Sequence, residues 1–299
     1  MDSPQVLISA DELRRQLEEG RRIVLLDVRW SLGGPPGHEA YLEGHLPGAV
    51  FVDLETELAV PVPPGSAEEA RGGRHPLPSA EEFQESARRW GIDDGDTIVA
   101  YDDSFGQSAA RAWWMLRDAG LRDVRLLDGG LAAWRRAGGP LDRGEVEPRL
   151  GNVRLRPGSL ATIDADDAAD FRGVLLDARA AERYRGEVEP VDPRAGHIPG
   201  AISAPTSGNL ADDGTFLGAP ELRRRFAALG AEPGHRVAVY CGSGVTAAHD
   251  VAALAIAGID AALYPGSFSQ WARDPSRPVA TGDEARPGAA TADGIASDS

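Results

Sequence analysis

Short apolar runs alternate along the chain with segments in which apolar residues recur at helical spacing. The runs IVLLD (23–27), TIVAY (97–101) and VRLLD (124–128) are bounded by turn formers, which is typical of strands buried on both faces. The segments 9–20 and 79–91 each begin with a serine that is followed three residues later by a glutamate, the capping-box pattern of a helix start. Strands that alternate with helices predict an α/β fold in which a parallel sheet carries helices on both faces.

This pattern occurs twice, because four motifs recur in the same order in the two halves of the chain. The pairs are RRIVLLDVR (21–29) with RGVLLDAR (172–179), YLEGHLPGAVFVDL (41–54) with RAGHIPGAISAP (194–205), DTIVAYDD (96–103) with HRVAVYCG (235–242), and LRDVRLLDGGLAAW (121–134) with IDAALYPGSFSQW (259–271). We therefore predict two tandem domains of like fold, residues 1–140 and 157–281, joined by a linker at 141–156. Residues 282–299 have almost no large apolar residue, which predicts a disordered tail.

Composition limits the partners. The formal net charge of −16 argues against nucleic acid and anionic membranes as general partners. All 31 basic residues are arginines, so Schiff-base chemistry and a phosphate-binding Walker lysine are excluded.

Several features predict a cytoplasmic protein. A single cysteine cannot form an internal disulfide, and the first residues lack the basic and apolar regions of a secretory signal. No apolar run is long enough to cross a bilayer.

The single cysteine, Cys241, follows an apolar strand and precedes a glycine-rich turn and a helix, in RVAVYCGSGVTAAHDVAALAIAGI (236–259). The carboxyl ends of parallel strands are where ligands bind in such sheets. Backbone N–H groups of the turn and the helix start favour an anion there, so we expect Cys241 to be a thiolate at neutral pH. Gly242 and Gly244 allow the tight curl, Ser243 can donate its hydroxyl, and Thr246 stands where a helix N-cap would.

Three other interpretations of this loop are weaker. A lone buried cysteine is often purely structural, but the strand, turn and helix around Cys241 argue for a reactive one. A phosphatase needs an arginine six positions after the cysteine, where this chain has Ala247. One cysteine and six scattered histidines give no metal-ligand spacing, so no metal or other cofactor is expected.

Taken together, these motifs resemble those of the two-domain rhodanese-type sulfurtransferases over about residues 5–280. CGSGVT is similar to the active loop of the 3-mercaptopyruvate sulfurtransferases, and GHLPGA and GHIPGA resemble a motif found in each rhodanese domain. DGG and YPGS, followed by Trp134 and Trp271, resemble the signature at the end of that domain. In this family the first domain is inactive, and Asp102 stands here in the place of its cysteine.

The resemblance also implies roles for individual residues. Arg183 would hold the substrate carboxylate, and Arg185 and Arg194 are both candidates for a second substrate arginine. His45 would approach from the first domain and relay a proton through Ser243, with His75 as another candidate at the interface. His197, the second histidine of the repeated motif, would fix its own loop, and Arg111 would contribute positive field or be structural. The loop residues implied to contact the substrate are Gly242, Gly244, Val245 and Thr246.

The implied reaction is transfer of a sulfane sulfur from 3-mercaptopyruvate, through a Cys241 persulfide, to cyanide or to a thiol such as thioredoxin or glutathione. Thiosulfate is the alternative donor, but enzymes for that dianion carry basic residues after the cysteine, where this chain has the neutral Gly242 and Ser243. A persulfide carrier that delivers sulfur to a protein partner without turnover is an alternative of a different class.

Overall fold

The computed structural model describes residues 5–283, so residues 284–299 of the predicted tail lie outside the described part of the chain. The strands are β1 Leu7–Ile8, β2 Ile23–Asp27, β3 Val50–Phe51, β4 Thr97–Tyr101, β5 Val124–Leu127, β6 Val174–Asp177, β7 Ile202–Ser203, β8 Val237–Tyr240 and β9 Ala262–Leu263. The helices are α1 Ala10–Glu18, α2 Gly37–Glu43, α3 Leu54–Glu57, α4 Ala67–Gly72, α5 Ala80–Arg89, α6 Ala109–Asp118, α7 Gly130–Arg136, α8 Ala165–Ala169, α9 Ala181–Tyr184, α10 Ala219–Ala228, α11 Ala247–Ile256 and α12 Ser267–Trp271, with a 3₁₀ turn at Thr206–Asn209.

Two parallel sheets repeat one strand order. The first sheet runs β1-β5-β4-β2-β3 and the second runs β7-β6-β8-β9, so β7, β6, β8 and β9 take the places of β3, β2, β4 and β5. A single parallel bridge from Thr162 to Leu263 stands where β1 pairs with β5 in the first sheet. The prediction of two tandem α/β domains with parallel sheets is confirmed.

The local sequence rules account for the elements closely. β2 and β4 match the predicted apolar runs residue for residue, whereas β5 ends at Leu127, and the Asp128 carboxylate accepts the backbone N–H of Phe216. Ser79 and Glu82 form the full predicted capping box at α5. At α1 only half of the box forms, since Ser9 accepts from the Glu12 N–H but the Glu12 carboxylate bonds side chains of its own helix.

The repeated motif DVR or DAR places one buried ion pair in each domain. Arg29 lies 2.7 Å from the Asp27 carboxylate, and Arg179 lies 2.6 Å from that of Asp177. Each arginine also bonds a carbonyl of the following GH motif, Gly44 or Gly196. Because breaking a buried pair leaves an uncompensated charge, these pairs tie the GH loop rigidly to the strand before it.

Residues 141–156, predicted to be a linker, form an extended segment that lies against the first domain. Asp142 exchanges two backbone hydrogen bonds with His45. Gly151 donates to the carbonyl of Arg88, and the fully buried Val153 donates to that of Ile92. Satisfied backbone groups and a buried valine hold this segment in place.

The domains meet along α6 and α11, the helices that follow β4 and β8, and apolar side chains of both domains form one continuous core. Both helices are rich in alanine, so their backbones approach closely. This packing brings the loops at the carboxyl ends of β4 and β8 to the same interface. Within residues 5–283, no helix is both long and apolar enough to span a membrane.

Candidate active site

Cys241 lies at the carboxyl end of β8, the strand between β6 and β9 in the second sheet. Its backbone is held on both sides, because its N–H donates to the Ser267 hydroxyl at 3.1 Å and its carbonyl accepts from Phe268 at 3.0 Å. The side chain is almost fully buried. The sequence predicted this position for the cysteine, and the structure buries it beside the domain interface.

The turn after Cys241 directs a backbone donor to the sulfur. The Gly244 N–H donates to Sγ at 3.2 Å. Gly244 has φ +76°, and a Cβ there would lie 2.3 Å from the carbonyl oxygen of Pro265, so only glycine fits. Thr246 is the N-cap of the ten-residue α11, although its side chain makes no capping bond. The positive end of α11 and the Gly244 N–H both favour an anionic sulfur.

Ser243 bonds a histidine of the other domain. Its Oγ lies 2.7 Å from Nδ1 of His75, and both side chains are buried. Burial, together with the charges of Arg111 and Arg74, lowers the pKa of His75 to about 3. The imidazole is therefore neutral at working pH, with one ring nitrogen that accepts a proton and one that donates.

The structure does not bring His45 to the cysteine. Its Nδ1 lies 3.0 Å from the carbonyl oxygen of Tyr41, and its ring stacks on the Tyr41 ring at 4.1 Å. His197 makes the same two contacts with Tyr184 in the second domain. Both histidines of the repeated motif therefore fix their own loops, and His75 holds the place beside Ser243 that the sequence assigned to His45.

A cavity of about 450 Å³ opens between the domains beside the loop. Its lining includes four of the predicted loop residues, Gly242, Ser243, Val245 and Thr246. Gly244 faces Pro265 behind the loop. The first domain contributes Trp30, Ser31, Leu32, Arg74, Ser104, Gln107 and Ser108 to the wall, and the second adds Ala178, Arg179, Ala180, Arg183, Pro205, Thr206 and Ser207.

Arg183 lies on this wall, but Arg194 does not. The Arg194 guanidinium donates to the carbonyl oxygens of Trp271, Ala272, Asp274 and Arg277 at 2.6–2.9 Å. It therefore closes the carboxyl end of α12, a structural position. Arg185 pairs with Glu187 at the surface.

The cavity wall also contains Arg74 of the first domain, a residue that sequence reasoning missed. Arg74 pairs with Asp192, and Asp192 also lies 3.2 Å from Arg183. A signal was present, because Arg74 directly precedes His75 in RHPLP, where the sequence had marked only the histidine.

Arg111 connects both halves of the site from the start of α6. Its guanidinium donates to the carbonyl oxygens of Gly244 and His75 at 3.0 Å and to that of Leu58 at 3.3 Å. Burial lowers the pKa of Arg111 to about 10, and the charge of Cys241 acts in the opposite direction. Within residues 5–283 no carboxylate lies within ion-pair distance of Arg111, and the charge that acts to raise its pKa is that of Cys241.

Comparison with known proteins assigns both halves of the chain to one domain family. The rhodanese-like domain model matches residues 9–137 and again residues 160–274. A Mycobacterium tuberculosis protein named "Putative thiosulfate sulfurtransferase SseB" is 53% identical over 93% of this chain and 98% of its own length. A Pseudomonas aeruginosa protein named "Probable 3-mercaptopyruvate sulfurtransferase" is 47% identical over 95% of this chain and 100% of its own.

A solved structure agrees with these matches. The 3-mercaptopyruvate sulfotransferase SseA from Escherichia coli superposes with a TM-score of 0.76 at 33% identity, over 88% of this chain and 99% of that one. With two matched domains and relatives that align along nearly their whole length, the chain belongs to the rhodanese family of sulfurtransferases.

Proposed function

We propose that this protein takes a sulfane sulfur from 3-mercaptopyruvate onto Cys241 and passes it to a thiol or to cyanide. The observation that carries the proposal is the Gly244 N–H, 3.2 Å from Sγ, in a loop that borders an arginine-lined cavity. A thiolate held in this way is a nucleophile, and a persulfide is an anion of the same kind.

The sulfur transfer balances without a cofactor. The Cys241 thiolate attacks the sulfur of 3-mercaptopyruvate, an S–S bond forms, and the C–S bond breaks with its electron pair on carbon. The carbanion, stabilised as an enolate, takes up the proton that the donor thiol loses, and the products are pyruvate and the Cys241 persulfide. A thiolate or cyanide acceptor then attacks the outer sulfur and restores the Cys241 thiolate.

Ser243 and His75 are placed to carry that proton. The Ser243 hydroxyl borders the cavity and lies 2.7 Å from Nδ1 of the neutral His75. Such a pair can take a proton at one atom and release it at another, which is general acid–base catalysis. Thiosulfate releases sulfite without protonation of a carbon, so this pair favours 3-mercaptopyruvate.

Thiosulfate is the second candidate donor, since one 53% identical relative carries a thiosulfate sulfurtransferase name and three arginines border the cavity. For acceptors we propose small thiols such as glutathione, thiol proteins such as thioredoxin, and cyanide. We place the protein in the cytoplasm, where a cysteine that must be reduced to react stays reduced. A persulfide carrier would load sulfur but release it slowly to small thiols.

Steady-state rates with the two donors test the proposal, together with mass spectrometry of the loaded protein. We expect one added sulfur on the peptide that contains Cys241 and a higher kcat/KM with 3-mercaptopyruvate than with thiosulfate. A higher kcat/KM with thiosulfate would contradict the donor assignment but not the persulfide. Loading followed by release only to a protein thiol would identify a carrier instead.

A further inference from the structure

Arg183 and Arg74, two of the three arginines that line the cavity, differ in which edge of the guanidinium is already occupied. Arg183 uses its Nε and Nη2 edge on Glu189, at 3.3 and 2.7 Å, and Nη2 also reaches Asp192. That edge is the one that binds a carboxylate through two parallel N–H bonds. Arg183 therefore already makes a bidentate pair with Glu189 through this edge. Its Nη1 is the nitrogen that remains for a ligand.

Arg74 shows the opposite arrangement. Its Nη1 pairs with Asp192, and within residues 5–283 this is the only bond of its side chain. Its Nε is buried without a hydrogen-bond partner in the described part of the chain. The Nη2 that completes this edge lies 2.9 Å from where a Cβ on Gly242 would be, beside the residue that follows Cys241. A buried donor without a partner is costly, so this edge is suited to a ligand that supplies two oxygens.

On the basis of the proposed sulfur transfer, we propose that Arg74 is a substrate-binding residue that determines donor choice. Its free edge grips the charged end of the donor across the domain interface, and Nη1 of Arg183 adds a third donor 3.6 Å from the same Cβ position on Gly242. Three converging N–H donor groups suit a carboxylate and suit a sulfonate, with its three oxygens, even better.

This role of Arg74 bears on the lack of basic residues at positions 242 and 243 of the loop. A Cβ at position 242 would lie 2.9 Å from Nη2 of Arg74, so a cation from the other domain already stands beside this neutral position. The chain thus supplies from the first domain a charge that the loop itself lacks. Loss of Arg74 must therefore weaken the dianion thiosulfate more than 3-mercaptopyruvate, which carries a single carboxylate charge.

The test compares Arg74→Gln, Arg74→Lys and wild type in single-turnover loading of Cys241 from each donor. We expect Arg74→Gln to lower kcat/KM by about 100-fold with thiosulfate and about 10-fold with 3-mercaptopyruvate, mainly through KM. Arg74→Lys keeps the charge without the two-pronged edge, so its losses should fall between wild type and Arg74→Gln. Arg71→Gln, an exposed arginine three residues earlier, is the matched control and should load as wild type does.

A second readout keeps the proposal testable apart from turnover. Iodoacetate carries a carboxylate and iodoacetamide does not, so the ratio of their alkylation rates at Cys241 reports the anion site. We expect this ratio to fall about 10-fold in Arg74→Gln and to stay at the wild-type value in Arg71→Gln. An unchanged ratio and unchanged donor kinetics in Arg74→Gln would overturn the role of Arg74 and leave the proposed function standing. Failure of the wild type to load sulfur from either donor would instead contradict the proposed function.

Discussion

The loops after β4 and β8 occupy equivalent places in the two domains but surround different side chains. In the first, the Asp102 carboxylate accepts four backbone N–H groups at 2.8–2.9 Å, from Ser104, Gly106, Ser108 and Ala109. In the second, Cys241 stands at the same point and its sulfur receives the Gly244 N–H at 3.2 Å. The same position after the strand thus holds either a carboxyl group that satisfies four N–H groups of its own loop or the sulfur of the cysteine loop.

The helices that follow the two loops differ in the charge of the residue that faces the opposite domain. The third residue of α6, Arg111, bonds the carbonyl of Gly244 in the opposite domain. The third residue of α11, His249, approaches the first-domain loop, 3.7 Å from where a Cβ on Gly106 would lie. Burial lowers the pKa of His249 to about 4, so its ring is neutral. A buried cation therefore faces the cysteine loop, whereas a neutral ring faces the aspartate loop.

The largest effect should come from removing the reactive anion. Cys241→Ser replaces the thiol by a hydroxyl that is not ionised at neutral pH, so sulfur transfer from either donor should fall to background. The fold should persist, because the replacement is slightly smaller and the Gly244 N–H keeps an acceptor. Donor assays and the thermal unfolding midpoint check both points, and transfer that persists in this variant would rule out the persulfide on Cys241.

Removing the Asp102 carboxyl group should affect stability rather than chemistry. Asp102→Ala leaves four N–H groups without their acceptor, and we expect the free energy of unfolding to fall by about 3–5 kcal/mol. The folded fraction should lose far less activity than Cys241→Ser. Asp103→Ala, exposed in the same loop, is the control and should unfold like the wild type. Denaturant unfolding measures this, and equal loss of activity in folded Asp102→Ala and Cys241→Ser would make Asp102 catalytic.

The third effect concerns Arg111, the buried cation that bonds the cysteine loop. Arg111→Gln removes charge-assisted bonds to the Gly244 and His75 carbonyls, and kcat/KM should fall about 10- to 100-fold. The pH midpoint for alkylation of the cysteine should move upward, since the thiolate loses its balancing cation. A purely structural role would leave that midpoint in place. His249→Gln, at the matching position of α11, should leave the midpoint unchanged.

The sequence predicted what local rules determine. The strands, the capping box at Ser79, the repeat and the cysteine loop follow from periodicity and turn chemistry within short windows. His75 and Arg74 could not be assigned in this way, because they meet the loop only through the docking of α6 on α11. The repeated GH motif favoured His45, whose ring the structure turns onto Tyr41.

The sequence also could not predict the hydrogen-bond partners of each arginine near the site. Arg183 and Arg194 both lie close to the GHIPGA motif in the sequence. Arg194 bonds the carboxyl end of α12, whereas Arg183 borders the cavity. Their partners are backbone carbonyls and carboxylates brought together by the fold. Charge patterning alone does not say which edge of a guanidinium stays free.

The smallest effect tests a buried carboxyl that only the second domain has. Asp250 of α11 corresponds to Ala112 of α6, is fully buried, and accepts from the Asn209 amide at 2.5 Å. Burial raises the pKa of Asp250 to about 7, against about 3.9 in the unfolded chain. The folded state therefore keeps this proton longer than the unfolded state does. Its contribution to stability is full below about pH 4, declines as pH rises, and is lost once pH passes 7.

Asp250→Asn removes this titration while keeping the size and the acceptor oxygen. We expect the variant to gain on the wild type by about 1–2 kcal/mol in free energy of unfolding between pH 6 and pH 8. Arg225 stays charged at these pH values, and His249, whose lowered pKa changes stability between about pH 4 and 6.5, is present in both proteins, so its contribution cancels in the difference. Urea unfolding of both proteins at pH 5, 6, 7 and 8 measures the gap. A gap that stays constant with pH would mean that Asp250 is already ionised in the fold, paired with Arg225, so that the second helix would carry a buried anion after all.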